Sequence, residues 1–529
     1  MRAATALLIA ALVSAILQGC ASVAQPSAGM HQYFGTATST TEGKVTVEGK
    51  AIRYRAVAGR IIVHASGWRG EGAPDRNGGD AASPEAAMFY VAYLKEGETS
   101  GRRPLTFLFN GGPGSSSVWL HMGTFGPRRT ITTDRSPTVA APFRLVSNEY
   151  SLLDASDLVF IDAPGTGFGR IRGKDADKAF YGADADVHAF AQFIVDFLSE
   201  YDRWNSPKYL IGEGYGALRA AALVNVLETR NNVDFNGVIF LSPVLNSELL
   251  GTSATLDSLN PGLDLSYELA LPSFAATAWY YHKLPGARQP LEPLLERVGR
   301  FALTRYARAL RQGSLLPLER RAVLAEQLHQ YTGLPVSYIE KANLRVDSGE
   351  FEHELLETSG ANTGQLDSRV AGPALDPLSE RAGYDPQDAA VGSACVSAFH
   401  RYARETLHYG YGLTYNPDIS VLGLWNFWHT PPGQADPVQQ WANTMPDLAN
   451  ALKYDPHLEI MVNEGYFDLA TPFMGGWYEM HQLQIPPKLQ ANITYDFYRS
   501  GHMSYVRPPV LEKLHDRIVA FIAATDRAQ

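Results

Sequence analysis

The chain has 529 residues, of which 45% are hydrophobic and 19% are charged, an ordinary composition for a globular protein. This length accommodates one large catalytic domain with a sizeable insertion, or two to three ordinary domains. The formal net charge of −10 at pH 7 argues against nucleic acid as a partner, because a surface that binds nucleic acid is rich in basic residues.

The N-terminus has the pattern of an export signal. Arg2 is followed by an apolar run from Ala3 to Leu17, which is too short to span a membrane stably. The residues Leu17-Gln18-Gly19-Cys20 resemble the bacterial lipobox, in which cleavage before the cysteine leaves that cysteine lipidated. Residues 1–20 are therefore predicted to be a signal peptide with a lipobox. The alternative is a simple signal peptide with an incidental cysteine.

A lipid on Cys20 would anchor the exported protein in the cell envelope, on the periplasmic face of a membrane. Cys395 would then be the only free thiol, and the protein would depend on its core rather than on a disulfide. Residues 21–41 are small and polar and are predicted to be a tether between the lipid and the folded domain.

Strands alternate with helices through residues 42–244. Strand-like runs are predicted at Lys44–Glu48, Arg60–His64, Ala87–Leu94, Pro104–Phe109, Asp157–Asp162, Lys208–Ile211 and Gly237–Leu241. Apolar residues recur at helical spacing over Asp184–Tyr201 and Ala217–Leu227. This alternation is typical of a parallel α/β sheet, so residues 42–244 are predicted to form the first part of the core.

The alternation stops after about residue 244. Residues 245–416 are mostly helical by periodicity, for example at Leu291–Leu310 and Leu318–Tyr331, and are predicted to be a helical cap inserted above the active site. Strands at Leu458–Val462 and Ile493–Tyr498 and a closing helix at Leu511–Ala524 follow. Residues 417–529 are therefore predicted to be the second part of the core.

A pattern typical of an active site lies between a strand and a helix. Residues 210–217 read L-I-G-E-G-Y-G-A, which has the position and shape of a G-x-S-x-G nucleophile elbow, but its centre is Gly214. Asp468 in F-D-L-A-T-P and His502 in R-S-G-H-M-S-Y follow later strands, in the order used by α/β-hydrolases. The sequence predicts an α/β-hydrolase fold whose triad lacks its serine. For Asp468 alone, a turn aspartate that caps the following segment is the alternative.

Several motifs together resemble the serine carboxypeptidase family, in its bacterial branch. They are N-G-G-P-G-S-S-S at 110–117, V-F-I-D-A-P-G-T-G-F at 159–168, G-E-G-Y-G at 212–216, and the surroundings of Asp468 and His502. The resemblance runs from about residue 87 to the C-terminus. It implies an α/β-hydrolase fold and C-terminal exopeptidase activity on peptides, with no cofactor and no metal.

The resemblance also implies roles for four further residues. The backbone N–H groups of Gly112 and Tyr215 would form the oxyanion hole, because a glycine turn lets bare N–H groups approach the reacting carbonyl. The side chains of Asn110 and Glu213 would bind the terminal carboxylate of the substrate. Glu213 can meet that carboxylate only if one of the two is protonated. Eukaryotic members have a second carboxylate on an earlier strand, where this chain has Tyr93.

The glycine at position 214 predicts a folded protein with little or no turnover. An elbow strains the backbone of its serine by about 1–3 kcal/mol, and glycine adopts the same conformation with little penalty. Loss of a triad serine lowers turnover by about 10⁶-fold. A residual rate about 10³–10⁴ above that in water can persist from the oxyanion hole and binding alone.

Three interpretations of Gly214 remain open. In the first, the serine was lost naturally, which leaves a decayed enzyme or a non-catalytic protein that binds peptide C-termini. In the second, the serine was removed from an active enzyme by engineering. The third interpretation is a hydrolase in which His502 and Asp468 activate a water molecule. A structural envelope lipoprotein would share the lipobox but would not need Asp468 and His502. The sequence favours the first two interpretations.

Overall fold

The computed structural model describes residues 30–67, 83–98, 100–133, 138–250, 262–438 and 441–526. The predicted signal peptide, its lipobox with Cys20 and residues 21–29 of the predicted tether lie outside these ranges. The first strand begins at Ser39, within the range predicted to be a tether. No helix among the described residues has the length and apolar character needed to span a membrane.

A large, mostly parallel sheet forms the centre of the molecule. Its strands are β1 (Ser39–Val47), β2 (Lys50–His64), β3 (Glu85–Lys95), β4 (Leu105–Phe109), β5 (Asp157–Ile161), β6 (Lys208–Glu213), β7 (Gly237–Leu241), β8 (Glu459–Gly465) and β9 (Ile493–Tyr498). The strands lie in the order β1-β2-β3-β5-β4-β6-β7-β8-β9. The contacts among β1, β2, β3 and β5 are antiparallel, and all later pairs are parallel.

Helices cover both faces of this sheet, as parallel strands require. The main core helices are α1 (Ala183–Glu200), α2 (Tyr215–Asn231), α6 (Pro386–Glu405), α7 (Met445–Tyr454), α8 (Phe473–His481) and α9 (Pro508–Thr525). Apolar residues of α1, α2 and α7 pack on one face, and those of α6 and α9 pack on the other. This architecture confirms the predicted α/β-hydrolase fold.

The long segment between β7 and β8 is mainly helical. It contains α3 (Leu265–Tyr280), α4 (Leu291–Phe301), α5 (Leu318–Thr332) and a short hairpin of Ala361–Thr363 with Ala371–Pro373. No described residue of this segment joins the central sheet. Its last long helix, α6, packs against the sheet instead of lying in the cap.

The register of the sheet places the ends of three strands together. Phe109 at the end of β4 lies opposite Gly212 of β6, and Leu241 at the end of β7 lies opposite Glu213. In an open α/β sheet, ligands bind outside the carboxyl ends of the strands. The residues that follow β4 and β6 therefore meet at the edge where a site belongs.

Candidate active site

Gly214 lies at a sharp turn between β6 and α2. Its φ is 59° and its ψ is −122°, a backbone conformation that residues with a Cβ rarely adopt. The turn is also tight, because a Cβ added to Gly212 would collide with the backbone of Gly216. The Gly214 N–H donates to the Leu241 carbonyl at 3.0 Å. The neighbouring strand thus holds the turn in the shape of a nucleophile elbow.

His502 and Asp468 lie beside this turn. A Cβ added to Gly214 would be 2.9 Å from His502 Nε2. On the other side of the ring, His502 Nδ1 donates to Asp468 Oδ2 at 2.7 Å, and the Asp468 side chain is fully buried. The structure therefore brings together the three positions predicted to form a triad, in the order elbow, histidine, acid.

A threonine that the sequence analysis missed also contacts this pair. The Thr471 hydroxyl lies 2.8 Å from Asp468 Oδ2 and 3.0 Å from His502 Nδ1, and it lies 3.0 Å from the Ser242 carbonyl. The Thr471 N–H donates to Asp468 Oδ1 at 2.9 Å. The only sequence signal for this role is the position of Thr471, three residues after the acid.

The charge of His502 follows from these contacts. Burial lowers the pKa of His502, but the charge and hydrogen bond of Asp468 outweigh that effect and raise the pKa to about 9. Asp468 therefore stabilises the imidazolium form of the ring. Its Nε2 nitrogen then carries a proton toward the space that a serine hydroxyl would occupy.

The predicted oxyanion-hole residues lie on two adjoining loops. The loop after β4 lies against the N-terminus of α2, since a Cβ added to Gly111 would be 2.6 Å from the Tyr215 nitrogen. Tyr215 is the first residue of α2, so its N–H has no acceptor within the helix. Gly112 and Tyr215 line the same cavity as Gly214.

Asn110 and Glu213 form a buried pair in this cavity. Asn110 Nδ2 donates to Glu213 Oε2 at 2.6 Å, and the Tyr505 hydroxyl contacts both Glu213 oxygens at 3.1 Å and 3.0 Å. Burial raises the pKa of Glu213 to about 7, although the nearby charge of His502 opposes the rise. The carboxyl group is therefore neutral in mildly acidic solution. Sequence analysis missed Tyr505.

Tyr93, which occupies the place of the second carboxylate of eukaryotic members, does not line the cavity. Tyr93 is fully buried, and its hydroxyl lies 2.6 Å from His121 Nε2 and 3.1 Å from the Tyr402 hydroxyl. It is absent from the residues that line the cavity. The two residues predicted to bind the terminal carboxylate, Asn110 and Glu213, do line the cavity.

A cavity of about 520 Å³ opens above Gly214. Six of the predicted site residues line this cavity: Asn110, Gly112, Glu213, Gly214, Tyr215 and His502. Asp468 lies behind His502, and Cys20 lies outside the described residues. Gln365, Leu366 and Asp388, from the segment predicted to be the cap, contribute to its wall. Within the described ranges, no group of three or more His, Cys, Asp or Glu residues is arranged to hold a metal ion.

Comparison with known protein families matches the part of the chain that contains the elbow. Residues 80–261 match the family described as serine carboxypeptidase. Serine carboxypeptidase-like 36 of Arabidopsis thaliana is 28% identical over 170 residues, which cover 30% of this chain and 32% of the plant protein. Pheromone-processing carboxypeptidase KEX1 of Saccharomyces cerevisiae (strain ATCC 204508 / S288c) is 37% identical over 101 residues, covering 19% of this chain and 13% of the yeast protein.

These matches span about a third or less of the length of each of these curated relatives. Among solved structures, a thermostable carboxyl esterase from Bacillus coagulans aligns with a TM-score of 0.35 at 10% identity, covering 89% of this chain and 99% of the esterase. A proline iminopeptidase from Mycobacterium smegmatis aligns with a TM-score of 0.34 at 12% identity, covering 85% and 97% of the two chains.

Proposed function

We propose that this chain, whose residues 80–261 belong to the serine carboxypeptidase family, binds the free C-terminal ends of peptides and turns them over poorly or not at all. One observation carries the proposal. His502, paired with Asp468, directs its Nε2 nitrogen at the position that the side chain of a serine at 214 would occupy, and the Asn110–Glu213 pair lies in the same cavity.

The bound peptide is held at two points. Its terminal carboxylate accepts from Asn110 and from a protonated Glu213, which is why the raised pKa of Glu213 matters. Its last peptide carbonyl lies over Gly214, within reach of the N–H groups of Gly112 and Tyr215. Such N–H groups stabilise an oxyanion if a nucleophile attacks, and they also orient a peptide that is not cleaved.

Weak turnover follows from the missing hydroxyl. No serine oxygen stands at the elbow, and loss of that group lowers turnover by about 10⁶-fold in a comparable enzyme. Activation of a water molecule by His502 is a poor substitute, because a free water molecule, unlike a serine hydroxyl on the elbow, is not held in place beside the reacting carbonyl.

Restoring the serine tests the proposal. Gly214→Ser should give both labelling by a fluorophosphonate probe and release of C-terminal residues, because the new hydroxyl lies beside His502. The ring must move by a few tenths of an ångström to admit the side chain, and the strained backbone should lower stability slightly. The unmodified chain should bind the same peptides without labelling. A Gly214→Ser, His502→Gln double variant is the control and should not label.

Two results would contradict this view. Labelling of the unmodified chain would show that another residue acts as the nucleophile. A folded Gly214→Ser protein that stays inert would show that the site lacks more than one oxygen atom, so that the missing hydroxyl alone does not account for the weak turnover. The natural gene separates a natural loss from an engineered replacement, since it encodes either glycine or serine at this position.

The proposal includes an envelope location. The apolar run after Arg2 and the lipobox-like residues before Cys20 support export and lipidation on the periplasmic face of a membrane. A lipid on Cys20 would keep the peptide-binding domain close to that membrane through residues 21–38, which precede the first strand.

A further inference from the structure

The solvent side of the helical segment between β7 and β8 carries a dense group of arginines. Residues 297–321 hold seven arginines and a single glutamate, a formal charge of +6 in a chain whose net charge is −10. They lie at the end of α4, in the helical turns 302–310 that continue it, in the loop 311–317 and at the start of α5. The proposed peptide chemistry uses none of them, since none lines the cavity above Gly214.

Helical spacing places most of these arginines on one face of α4 and its continuation. Positions 297, 300, 304, 308 and 311 recur every three or four residues, the spacing of neighbours on one helix face, and all five are exposed. Four of the five are arginine, and they extend over roughly 20 Å of helix. The opposite face is apolar and packs into the core of the segment, through Leu294, Leu295, Val298 and Phe301.

Few of these charges are neutralised within the protein. Among the described residues, Arg300 lies 2.8 Å from the Glu296 carboxylate and Arg311 lies 3.9 Å from that of Glu268. Three more arginines are exposed and have no carboxylate partner in the described ranges: Arg305, Arg308 and Arg320. The surface therefore presents a positive field that an external anion can satisfy.

Two leucines lie at the end of this positive surface. Leu315 and Leu318, between Arg311 and Arg320 in the chain, are 84% and 80% exposed. This combination suits a lipid bilayer, where arginines bind phosphates while apolar side chains enter the boundary between headgroups and acyl chains. Nucleic acid offers phosphates but no apolar layer, so the two leucines favour a membrane as the partner.

We propose that residues 297–321 form a docking surface for an anionic phospholipid bilayer. Arg305, Arg308 and Arg320 bind the lipid phosphates, and Leu315 and Leu318 enter the headgroup region. This goes beyond peptide binding. The proposed lipid on the N-terminal cysteine would keep the domain near a bilayer, and the docking surface would fix which side of the domain faces it.

Vesicle sedimentation of the full chain with Cys20→Ser tests the surface without the lipid. Vesicles of phosphatidylcholine alone are compared with vesicles that also contain phosphatidylglycerol. The chain should bind the anionic vesicles much more tightly, and the difference should shrink as salt is added. Any binding through the apolar run Ala3–Leu17 is common to all variants and is measured by the neutral vesicles.

Two arginine variants assign this binding to the docking surface. The test variant replaces three of its exposed arginines: Arg305→Ser, Arg308→Ser and Arg320→Ser. Its affinity for anionic vesicles should fall on the order of 100-fold, because each basic residue at such a membrane contributes about fivefold. The control variant removes the same charge from exposed positions of β2, α2 and α6, and it should bind like the parent chain: Arg53→Ser, Arg230→Ser and Arg404→Ser.

A leucine variant separates a bilayer from other polyanions. Leu315→Ser with Leu318→Ser should weaken binding to anionic vesicles by about tenfold, and circular dichroism should show an unchanged fold because both side chains are exposed. If this variant binds as tightly as the parent chain, the apolar contact is absent and the bilayer proposal fails. Displacement of the vesicles by duplex DNA would then identify a nucleic-acid site.

The arginine variants give a second way to contradict the proposal. If the test variant binds as tightly as the parent chain, or if the control variant loses as much affinity, residues 297–321 are not a docking surface. Fatty-acid labelling of Cys20 and peptide binding are separate measurements, so failure of either leaves the outcome of the vesicle experiment unchanged.

Discussion

At the scale of single residues, two buried groups of the site have pKa values well above their usual ones. Glu213 and His502 lie in one cavity, and burial acts on the pKa of both. For Glu213, burial favours the neutral carboxyl and raises the pKa to about 7. For His502, the Asp468 carboxylate overcomes burial and raises the pKa to about 9.

The affinity for peptides should therefore fall as the pH rises through about 7. Below that value Glu213 is neutral and can donate to a substrate carboxylate, whereas above it two carboxylates repel each other. Glu213→Gln cannot ionise, so its affinity should stay nearly constant between pH 5 and about 8. Titration calorimetry across this range measures both proteins. An unchanged affinity of the original chain through pH 7 would show that Glu213 does not contact the carboxylate.

The raised pKa of Glu213 also makes the folded protein less stable as the pH rises. The folded-state pKa of Glu213 is raised above its value of 4.5 in the unfolded chain. Its contribution to the free energy of unfolding is complete below about pH 4.5 and is lost as the pH rises through about 7. His502 behaves likewise at higher pH, since its contribution is complete below 6.5 and is lost as the pH rises through about 9.

The sequence could predict those site residues whose structural context is contiguous in the chain, and it missed those whose partners are distant in the chain. Gly214 is recognisable because a strand, a turn and a helix are contiguous in the chain, and Asp468 and His502 each follow a strand. Thr471 and Tyr505 were missed because nothing in a single sequence shows that a hydroxyl will meet the Asp468–His502 pair or Glu213 after folding.

At the scale of elements, the strand and helix pattern was predictable where one period dominates. Most predicted strands agree with β3 to β9 within a few residues. Strand β2 begins at Lys50, well before the predicted start at Arg60. Its first half alternates exposed and buried residues, with Ile52 and Tyr54 buried between exposed neighbours, which is the strand period of two. The alternation of apolar residues with Arg53 and Arg55 is therefore a strand signal that the sequence analysis overlooked.

Helix α6 shows why the predicted cap boundary was difficult to locate. Its N-terminus carries a clear signal, because Asp385 caps the helix and Pro386 follows at the first turn. Its apolar residues, which include Cys395 and Phe399, pack on the central sheet. Helical periodicity gives the direction of an apolar face but not the surface against which that face packs, and so the sequence placed α6 with the cap.

Asp385 should be important for stability because it joins α6 to the site. It accepts from the Gln387 N–H at 2.7 Å and from the Leu366 N–H at 2.8 Å, and the Leu366 carbonyl accepts from the His502 N–H at 2.6 Å. Asp385→Ala should lower the free energy of unfolding by about 0.5–2 kcal/mol, the usual cost of losing a helix cap.

Urea unfolding followed by circular dichroism measures this change. Asp385→Asn is the matched control, because its single amide oxygen can still accept from the Gln387 N–H and cap the helix, and it should lose less stability although its amide nitrogen cannot accept from the Leu366 N–H. If Asp385→Ala is as stable as the original protein, the cap contributes nothing measurable and α6 is held by its apolar face alone.

At the scale of the whole molecule, the cap and the core share residues at the active site. The apolar cluster of α3, α4 and α5 includes Phe467 and Leu469, which flank Asp468, and Phe473 of α8. The loop that carries the acid is thus packed into the cap as well as into the sheet. The helical segment is therefore part of the structure that positions the triad, and it is not an independent appendage.

The envelope proposal also belongs to this scale and predicts a lipidated protein. In a bacterial host that processes lipoproteins, the chain should incorporate a labelled fatty acid and fractionate with membranes. Cys20→Ser should abolish both, whereas Cys395→Ala should abolish neither, because Cys395 is buried in the core. Retention of the label by the Cys20→Ser protein would rule out the lipobox interpretation.

The turn between β6 and α2 keeps the shape of an elbow although no reactive side chain stands on it. Its conformation is imposed by neighbours, through the Leu241 carbonyl and the loop after β4. A lineage can therefore lose or regain the reactive atom while every supporting contact persists. A glycine codon GGU or GGC becomes a serine codon by one base change. Loss of catalysis at such a turn is reversible in evolution for as long as Asp468 and His502 remain paired.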